Sequence, residues 1–287
     1  MSLNNVSLEN SGGQLHLNAG TVLDLTGGGV NRTPSTLLEG AAVSLNGGSY
    51  NVTGTASLNA YGTDLNTSGF PTISGNIVSL QANTDTHLHD TTVSATTLAN
   101  LNAQQDVKVA AGSYTVTGTG AGGTLQASAG RDIFVGSSAQ FQGNTVQMTA
   151  SRDATLTSPV VRGFTTLNVT AVQNIAVSSG SFTGASSSPT IAATFSAGDT
   201  LTVNGPTFAN VADISLSSRT VNLSNIDCQN GSTVRLYSQN GLLAANPNTG
   251  AASVPGHVNF ILNVNYGGNP AQLFVVVGGI TIGIRPP

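Results

Sequence analysis

The stretch AGRDIFVGSSAQFQGNTVQMTASRDATL, residues 129–156, contains nearly the same seven-residue phrase twice. The phrase reads Ala-Gly-Arg-Asp-Ile-Phe-Val at 129–135 and Ala-Ser-Arg-Asp-Ala-Thr-Leu at 150–156, so the second copy begins 21 residues after the first. A phrase that returns at a fixed interval is typical of repeat architectures, in which each repeat is one unit stacked on the next. The alanine that opens the phrase therefore serves as an anchor for finding other repeats.

Equivalent anchor positions recur along most of the chain. They are Ala19, Glu39, Ala60, Ala82, Ala103, Ala129, Ala150, Ala171, Ala197, Ser218 and Ser238. The steps between them are 20, 21, 22, 21, 26, 21, 21, 26, 21 and 20 residues. The two long steps contain five extra residues each, at 119–123 and 185–189. The sequence therefore predicts a ladder of about eleven repeats with two insertions.

Within each repeat, apolar residues alternate with polar ones, which is typical of strands with one buried face. The strand before the anchor carries pairs such as Val146 and Met148, and the strand after it carries pairs such as Ile133 and Val135. A third strand contributes one large apolar residue per repeat, and we expect these residues to form a column: Val52, Val116, Phe141, Val161, Phe182, Phe208 and Ile226. Three short strands per repeat predict a triangular coil.

These patterns predict an all-β fold, a right-handed parallel β-helix with about 21 residues per coil. A helical fold is disfavoured because Gly, Asn, Ser and Thr fill the intervals between apolar residues. An antiparallel sandwich also alternates, but it does not explain why the same residue types return at a constant interval. Stacked coils do, because equivalent residues then lie about 4.8 Å apart in columns. We assign residues 1–243 to the β-helix, which would form a rod on the order of 50 Å long.

Residues 244–287 depart from the ladder. They begin with a loop rich in Pro, Asn and Gly, followed by predicted strands at 257–265, 272–277 and 279–284. Because the open end of a solenoid exposes core and strand edges, we expect this segment to form a C-terminal β cap. The alternative is a contact between copies of the chain in a homo-oligomer, since Leu-Phe-Val-Val-Val at 273–277 is apolar and uncharged.

Composition narrows the class of partner. Charged residues make up 7 % of the 287 residues, the net charge is −4, and Lys108 is the single lysine, so no basic stripe could follow a nucleic acid backbone. An apolar content of 39 % predicts a folded chain. The longest apolar run, at 273–284, is interrupted by three glycines, which argues against a membrane span. Cys228 is the single cysteine, so no internal disulfide is possible, and we expect it to be a small core residue.

Acidic residues recur three positions after several anchors. They predict a column with Asn174 as a further member: Asp85, Asp106, Asp132 and Asp153. Asp and Asn often bond the backbone of their own turn, so we expect them to satisfy amides at a tight corner. Adjacent carboxylates would repel by about 1 kcal/mol in water-like surroundings. These turn bonds, or the neighbouring Arg131 and Arg152, must offset that repulsion. A calcium site is disfavoured because each repeat supplies one carboxylate.

The densest cluster of metal-binding residue types is NTDTHLHDTT, residues 83–92. With Thr86 and Leu88 pointing inward, Asp85, His87 and His89 share one outward face. These three residues are the candidate metal ligands, for zinc or copper. The alternative is a solvated strand face, because the matching positions of the next repeat are Lys108 and Ala110. No cofactor is indicated.

Catalysis and ice binding are the remaining alternatives. Polysaccharide lyases and hydrolases use this fold, but they need clustered carboxylates or a basic residue beside long loops, and both insertions lack ionisable groups. Tryptophan, a common sugar platform, is absent. Ice binding would need a uniform threonine face. Threonine occurs at the outward positions of two repeats, as Asn51/Thr53 and Thr115/Thr117. The repeat after Thr115/Thr117 has Gln140/Gln142 there, so the face is not uniform.

Three phrases resemble the short repeats of filamentous-haemagglutinin-type bacterial surface proteins. They are the two repeated phrases at 129–135 and 150–156, and Ser-Ala-Gly-Asp-Thr-Leu-Thr-Val at 196–203. The resemblance covers about residues 75–240. It implies an exported right-handed β-helix that acts in adhesion or as a display shaft, outside the cell or on its surface. We therefore expect a non-catalytic structural or adhesive protein, with a host or environmental glycan or surface as partner. The alternative is a carbohydrate-active enzyme or glycan-binding module of the same fold.

Overall fold

The computed structural model of the chain describes residues 1–118, 123–185 and 190–229, and then seven strands within residues 233–284. These residues form β-strands and connecting corners, and none of them is helical. The chain divides into two compact units, Met1–Met148 and Thr149–Pro287.

The first unit contains thirteen strands, the last of which extends two residues past the division. They are β1 Ser2–Asn4, β2 Ser7–Glu9, β3 Gln14–Thr26, β4 Gly29–Asn46, β5 Ser49–Ala60, β6 Leu65–Ser68, β7 Thr72–Ala82, β8 Thr86–Leu88, β9 Thr91–Ala103, β10 Val107–Val116, β11 Thr124–Ala129, β12 Ile133–Gln142 and β13 Thr145–Ala150.

The second unit contains eighteen further strands. They are β14 Asp153–Thr157, β15 Val160–Phe164, β16 Thr166–Ala171, β17 Asn174–Ser178, β18 Ser181–Gly184, β19 Ala192–Ala197, β20 Thr200–Asn204, β21 Thr207–Ala209, β22 Asp213–Ser218, β23 Thr220–Ser224, β24 Asp227–Gln229, β25 Thr233–Ser238, β26 Leu242–Ala244, β27 Ala252–Val254, β28 Val258–Phe260, β29 Asn265–Gly267, β30 Gln272–Val277 and β31 Ile280–Ile284.

The strands stack in parallel on strands about 21 residues away, and the predicted fold class, a β-solenoid of about eleven coils, is confirmed. In the second unit each coil consists of three separate strands, so that β16, β17 and β18 pair in register with β19, β20 and β21. In the first unit strands continue around corners. The 18-residue β4, for example, pairs with β5 on two faces and shifts register at the corner between them.

The core is made of the inward residues that the alternation predicts. Ile133, Val135, Val146 and Met148 are all buried. Full burial of each such side chain contributes about 1.5–3 kcal/mol, and the close vertical spacing of parallel strands brings like side chains into contact. The core of each unit therefore fills in layers.

The anchor positions are small buried residues at a corner, with one correction. Ala19 pairs with Gly40, and Gly40 pairs with Ala60, so the prediction that Glu39 is an anchor is wrong by one residue. Glu39 points outward, where its Oε1 lies 2.8 Å from His16 Nε2. A carboxylate cannot occupy a dry corner without a partner, whereas glycine can.

The predicted column of apolar residues on the third strand is wrong at three positions. Tyr114, not Val116, pairs with Phe141, and Tyr50, not Val52, occupies the corresponding position two coils before Val93. In the second unit Cys228, not Ile226, pairs with Phe208. Val52, Val116 and Ile226 are buried as well. Register shifts at the corners of the first unit, such as the one between Val109 and Ala111, move the third strand relative to a count made from the anchor.

The C-terminal strands are described by their backbone pairing. β30 stacks in parallel on β25, and β31 pairs antiparallel with β30, as β27 does with β28. The predicted loop at 244–256 contains the end of β26 and all of β27, which differs from the prediction, and its residues 245–251 lie outside the described residues. The side chains of 273–277 lie outside them too, so the cap and the oligomer contact stay predictions. Of the two insertions, 119–123 and 185–189, residues 119–122 and 186–189 also lie outside the described residues. None of the described residues forms a helix with the length and hydropathy to cross a bilayer.

Candidate functional site

Four aspartates of the first unit follow the anchor corner from coil to coil, and we call them the carboxylate ladder: Asp64, Asp85, Asp106 and Asp132. Each of the first three accepts, through Oδ1, the backbone N–H of the next aspartate in the series. The N···O distances are 3.1 Å from Asp85 to Asp64, 3.0 Å from Asp106 to Asp85, and 3.3 Å from Asp132 to Asp106. The ladder therefore joins each coil to the next.

The sequence predicted Asp85, Asp106 and Asp132 as members of the column, but it missed Asp64 and did not predict the direction of the bonds. We expected each carboxylate to bond its own corner, yet those amides already donate to carbonyls of the preceding coil. Gln104 N, for example, lies 3.2 Å from Ala82 O, and Gln105 N lies 2.9 Å from Thr84 O. The donor that remains for each carboxylate is the aspartate amide of the following coil. In the second unit Asp153 repeats the arrangement, accepting the Asn174 amide at 3.1 Å.

Two cations, Lys108 and Arg131, form ion pairs with Asp85 and Asp106 of the ladder. Lys108 Nζ lies 2.8 Å from Asp85 Oδ2 and 3.1 Å from Asp106 Oδ2. Arg131 binds Asp106 with two parallel hydrogen bonds of 2.7 Å, from Nε to Oδ1 and from Nη2 to Oδ2. The expected roles of Arg131 and of Arg152, whose Nε lies 3.4 Å from Asp153 Oδ2, are confirmed. Lys108 was missed as a partner, although its position one coil after His87 could have suggested it.

The ionisation of the ladder follows from these contacts. The hydrogen bonds from Arg131 lower the pKa of Asp106 to about 2, although burial opposes them. Burial raises the pKa of Asp85, but the bonds from Lys108 and the Asp106 amide outweigh it and hold that pKa below its ordinary value. Burial lowers the pKa of Lys108, and its bonds to Asp85 and Asp106 more than reverse this effect. All three groups are therefore charged across the neutral range.

The structure brings together two of the three predicted metal ligands. Thr86 and Leu88 point inward as expected, and His87 Nε2 lies 3.5 Å from Asp85 Oδ2. His89 follows the end of β8 and instead pairs with Asp90, with its Nδ1 2.8 Å from Asp90 Oδ2. Across the described ranges, no group of three or more His, Cys, Asp or Glu side chains could hold a metal ion. Metal binding by Asp85, His87 and His89 stays a prediction.

Cys228 is a buried core residue, as predicted. It stacks next to Phe208 in the second unit, and burial raises the pKa of its thiol to about 12. Because the thiolate is the reactive form, this cysteine is unsuited to nucleophilic chemistry at neutral pH.

The outward residues of the third strand align from coil to coil differently from the alignment that the ice-binding alternative assumed. Thr115 pairs with Ser94 in one direction and with Gln142 in the other, while Gln140 pairs with Ser113. The expected alignment of Gln140 with Thr115 was therefore wrong by two residues. Serine, threonine and glutamine alternate between coils on this face, which remains chemically mixed.

No protein-family model matches the chain, no curated protein matches its sequence, and no solved structure matches it. The β-solenoid repeat is established by the strand pairing alone, and the resemblance to filamentous-haemagglutinin-type proteins stays a prediction from the repeated phrases.

Proposed function

We propose that this protein is a non-catalytic structural or adhesive β-helix that works outside the cell or on its surface. The proposal rests on the hydrogen bonds that the ladder carboxylates make between coils. In the first unit three of them hydrogen-bond the backbone of the next coil, and Lys108 and Arg131 bind across coils as well. Bonds that join successive coils resist separation of the coils. A shaft that is pulled along its length needs this resistance.

The chemistry of the ladder argues against a catalytic role. A general acid at neutral pH needs a raised pKa, and those of Asp106 and Asp85 are lowered. The side chains of Asp106 and Asp132 are only 4 % and 3 % exposed, so a polymeric substrate could not reach them. The ladder resembles the two-carboxylate site of a glycosidase in residue type but not in ionisation or access.

The location outside the cell is supported by the repeated phrases at 129–135, 150–156 and 196–203, which resemble those of bacterial surface proteins. A surface with few charged groups and many Asn, Ser and Thr side chains also suits contact with neutral surfaces. The bacterial source and the adhesive role rest on this resemblance.

A turnover assay combined with a glycan array tests the proposal. The full chain is incubated with plant, algal and bacterial polysaccharides, and new reducing ends and unsaturated products are measured. We expect no cleavage, and cleavage of any of these polysaccharides by the purified chain would overturn the proposal. Surface labelling of intact cells of the source organism tests the location, because a protein protected from an impermeant label would contradict it.

A further inference from the structure

Phe70 occupies a position that neither its backbone nor its side chain favours. Its φ is 60°, in the left-handed region, and it precedes Pro71, which restricts it further. Most of the other non-glycine residues with positive φ in the described part of the chain are Asn, Asp or Ser, which tolerate this region better. Phe70 is also 74 % exposed, the most of any large hydrophobic side chain described. Folding stability therefore does not explain a phenylalanine here.

The neighbours of Phe70 in the preceding coil are small or polar. In the preceding coil the corner is Gly47–Gly48, which lies directly beneath, since Gly47 N donates to Ser68 O at 2.7 Å and Thr72 N to Gly48 O at 3.0 Å. These two glycines contribute no side chain to the corner beneath Phe70. The Asn46 carboxamide lies beside Gly69, the residue before Phe70.

The following coil supplies a His–Asp pair, His89 and Asp90, at the same corner. Thr92 N donates to Pro71 O at 2.9 Å, and Thr67 pairs with Leu88 while Thr72 pairs with Thr92, so Asp90 lies in the turn that stacks on Gly69–Phe70. Asp90 is bound to His89, but its side chain is still 29 % exposed and keeps acceptor capacity. The turns that contain Phe70 and Asp90 thus lie about one strand spacing, ~4.8 Å, apart.

This combination suits a sugar residue. A pyranose has an apolar face of C–H groups that packs on an aromatic ring, and a rim of hydroxyls that donate to carboxylate and amide oxygens. The carboxylate disfavours an acidic polysaccharide by like-charge repulsion. A protein partner is a poorer fit, because one isolated ring is far smaller than the interface a stable protein complex buries.

We propose that Phe70, Asp90 and Asn46, above the Gly47–Gly48 corner, bind one hexose unit of a neutral glycan. The inference rests on the adhesive form of the proposed function, and it names the contact residues and the class of ligand.

Binding of the full chain to dextran, mannan, galactomannan and cello-oligosaccharides, by affinity electrophoresis and calorimetry, tests this site. We expect Phe70→Ala to weaken binding about tenfold and Phe70→Trp to preserve it, because tryptophan offers a larger ring. Asp90→Asn should weaken it several-fold, since asparagine tolerates the same positive φ but lacks the charge. Val172→Ala is the matched control, because Val172 is also a corner residue, 65 % exposed, in the second unit.

A stability measurement separates a binding role from a structural one. Asparagine tolerates the left-handed region, so Phe70→Asn should raise Tm while it weakens binding. A fall in Tm would mean that Phe70 stabilises the fold, which would overturn the inference. Unchanged binding by Phe70→Ala would also overturn it while leaving adhesion through another surface intact. If the wild-type chain bound none of these glycans, the inference would fail, and a structural role would still be judged by the turnover assay.

Discussion

At the scale of single residues, Asp106 shows how a chain with few charges uses them. The Asp106 carboxylate accepts the Asp132 amide, two bonds from Arg131 and one contact from Lys108, so two coils of the first unit meet at one side chain, and Lys108 extends the contact to Asp85 of a third. Charge-assisted hydrogen bonds of this kind are shorter and stronger than hydrogen bonds between neutral groups. The ladder is therefore strongest at Asp106.

Replacing Asp106 with Asn should destabilise the protein by about 2 kcal/mol, because the amide still accepts the Asp132 N–H but removes the two-bond ionic partner of Arg131 and leaves Lys108 with Asp85 alone. Urea denaturation followed by circular dichroism measures the change. Asp64→Asn is the matched control, since Asp64 makes the same bond to the Asp85 amide and no Lys or Arg among the described residues pairs with it. Equal losses in the two variants would contradict the role given to the cations.

Acid should remove the same contribution. A carboxyl whose folded-state pKa lies below its ordinary value stabilises the fold above the ordinary pKa and loses this effect as pH falls through the folded-state pKa. For Asp106 these values are 3.8 and about 2. The stability of the wild-type chain should therefore fall between about pH 5 and pH 2, and the difference from Asp106→Asn should close over that window. Urea midpoints measured for both proteins at each pH check this, and a gap that persists at pH 2 would contradict it.

At the scale of strands, the alternating pattern predicted the buried face of the first two strands of each coil, and the repeated anchor predicted which strands stack. The third strand was placed less well. Tyr114 rather than Val116 pairs with Phe141, because corners in the first unit absorb extra residues that a count from the anchor cannot detect. The bonds of the carboxylate ladder were missed for a related reason. Sequence spacing places Asp106 above Asp85 but does not show which backbone amides at the corner already donate to carbonyls of the preceding coil.

The aromatic residues of the second unit test whether the third strand carries core packing. Phe182 stacks on Phe208 with ring centroids 5.0 Å apart, and Phe195 meets Phe182 edge-on at 5.6 Å. Phe182→Ala should lower the free energy of unfolding by about 3–5 kcal/mol through the cavity it leaves. Phe134→Ala, at an outward position that is 39 % exposed, should change it by less than about 0.5 kcal/mol. Denaturant titrations compare them, and similar losses would contradict the assigned inward face.

At the scale of the whole molecule, the coil is the unit that repeats, and in most cases its partners in both directions lie about 21 residues away. Each strand of a coil pairs with equivalent strands of its neighbours, so stability is approximately a sum over coils and their interfaces. The coil rather than the single strand should therefore be the smallest segment that can be removed without loss of the fold.

Deleting residues 84–104 removes one coil of the first unit and should leave a folded protein of lower stability. The deletion joins Asn83 to Gln105, so Asp106 keeps its distance from the anchor and its amide can bond Asp64. Deleting residues 84–93 removes about half a coil and should prevent folding, because every later strand then lies over the wrong face. Circular dichroism, thermal melting and size-exclusion chromatography distinguish the two variants. Equal folding of both, or of neither, would show that the coil is not the unit.

The same spacing has an evolutionary consequence. A recombination event that gains or loses the codons for one circuit leaves the anchor column and the aspartate series aligned on either side of the junction. A lineage could therefore lengthen or shorten this protein in steps without passing through misfolded intermediates, and variation in gene length would follow the period of the repeat.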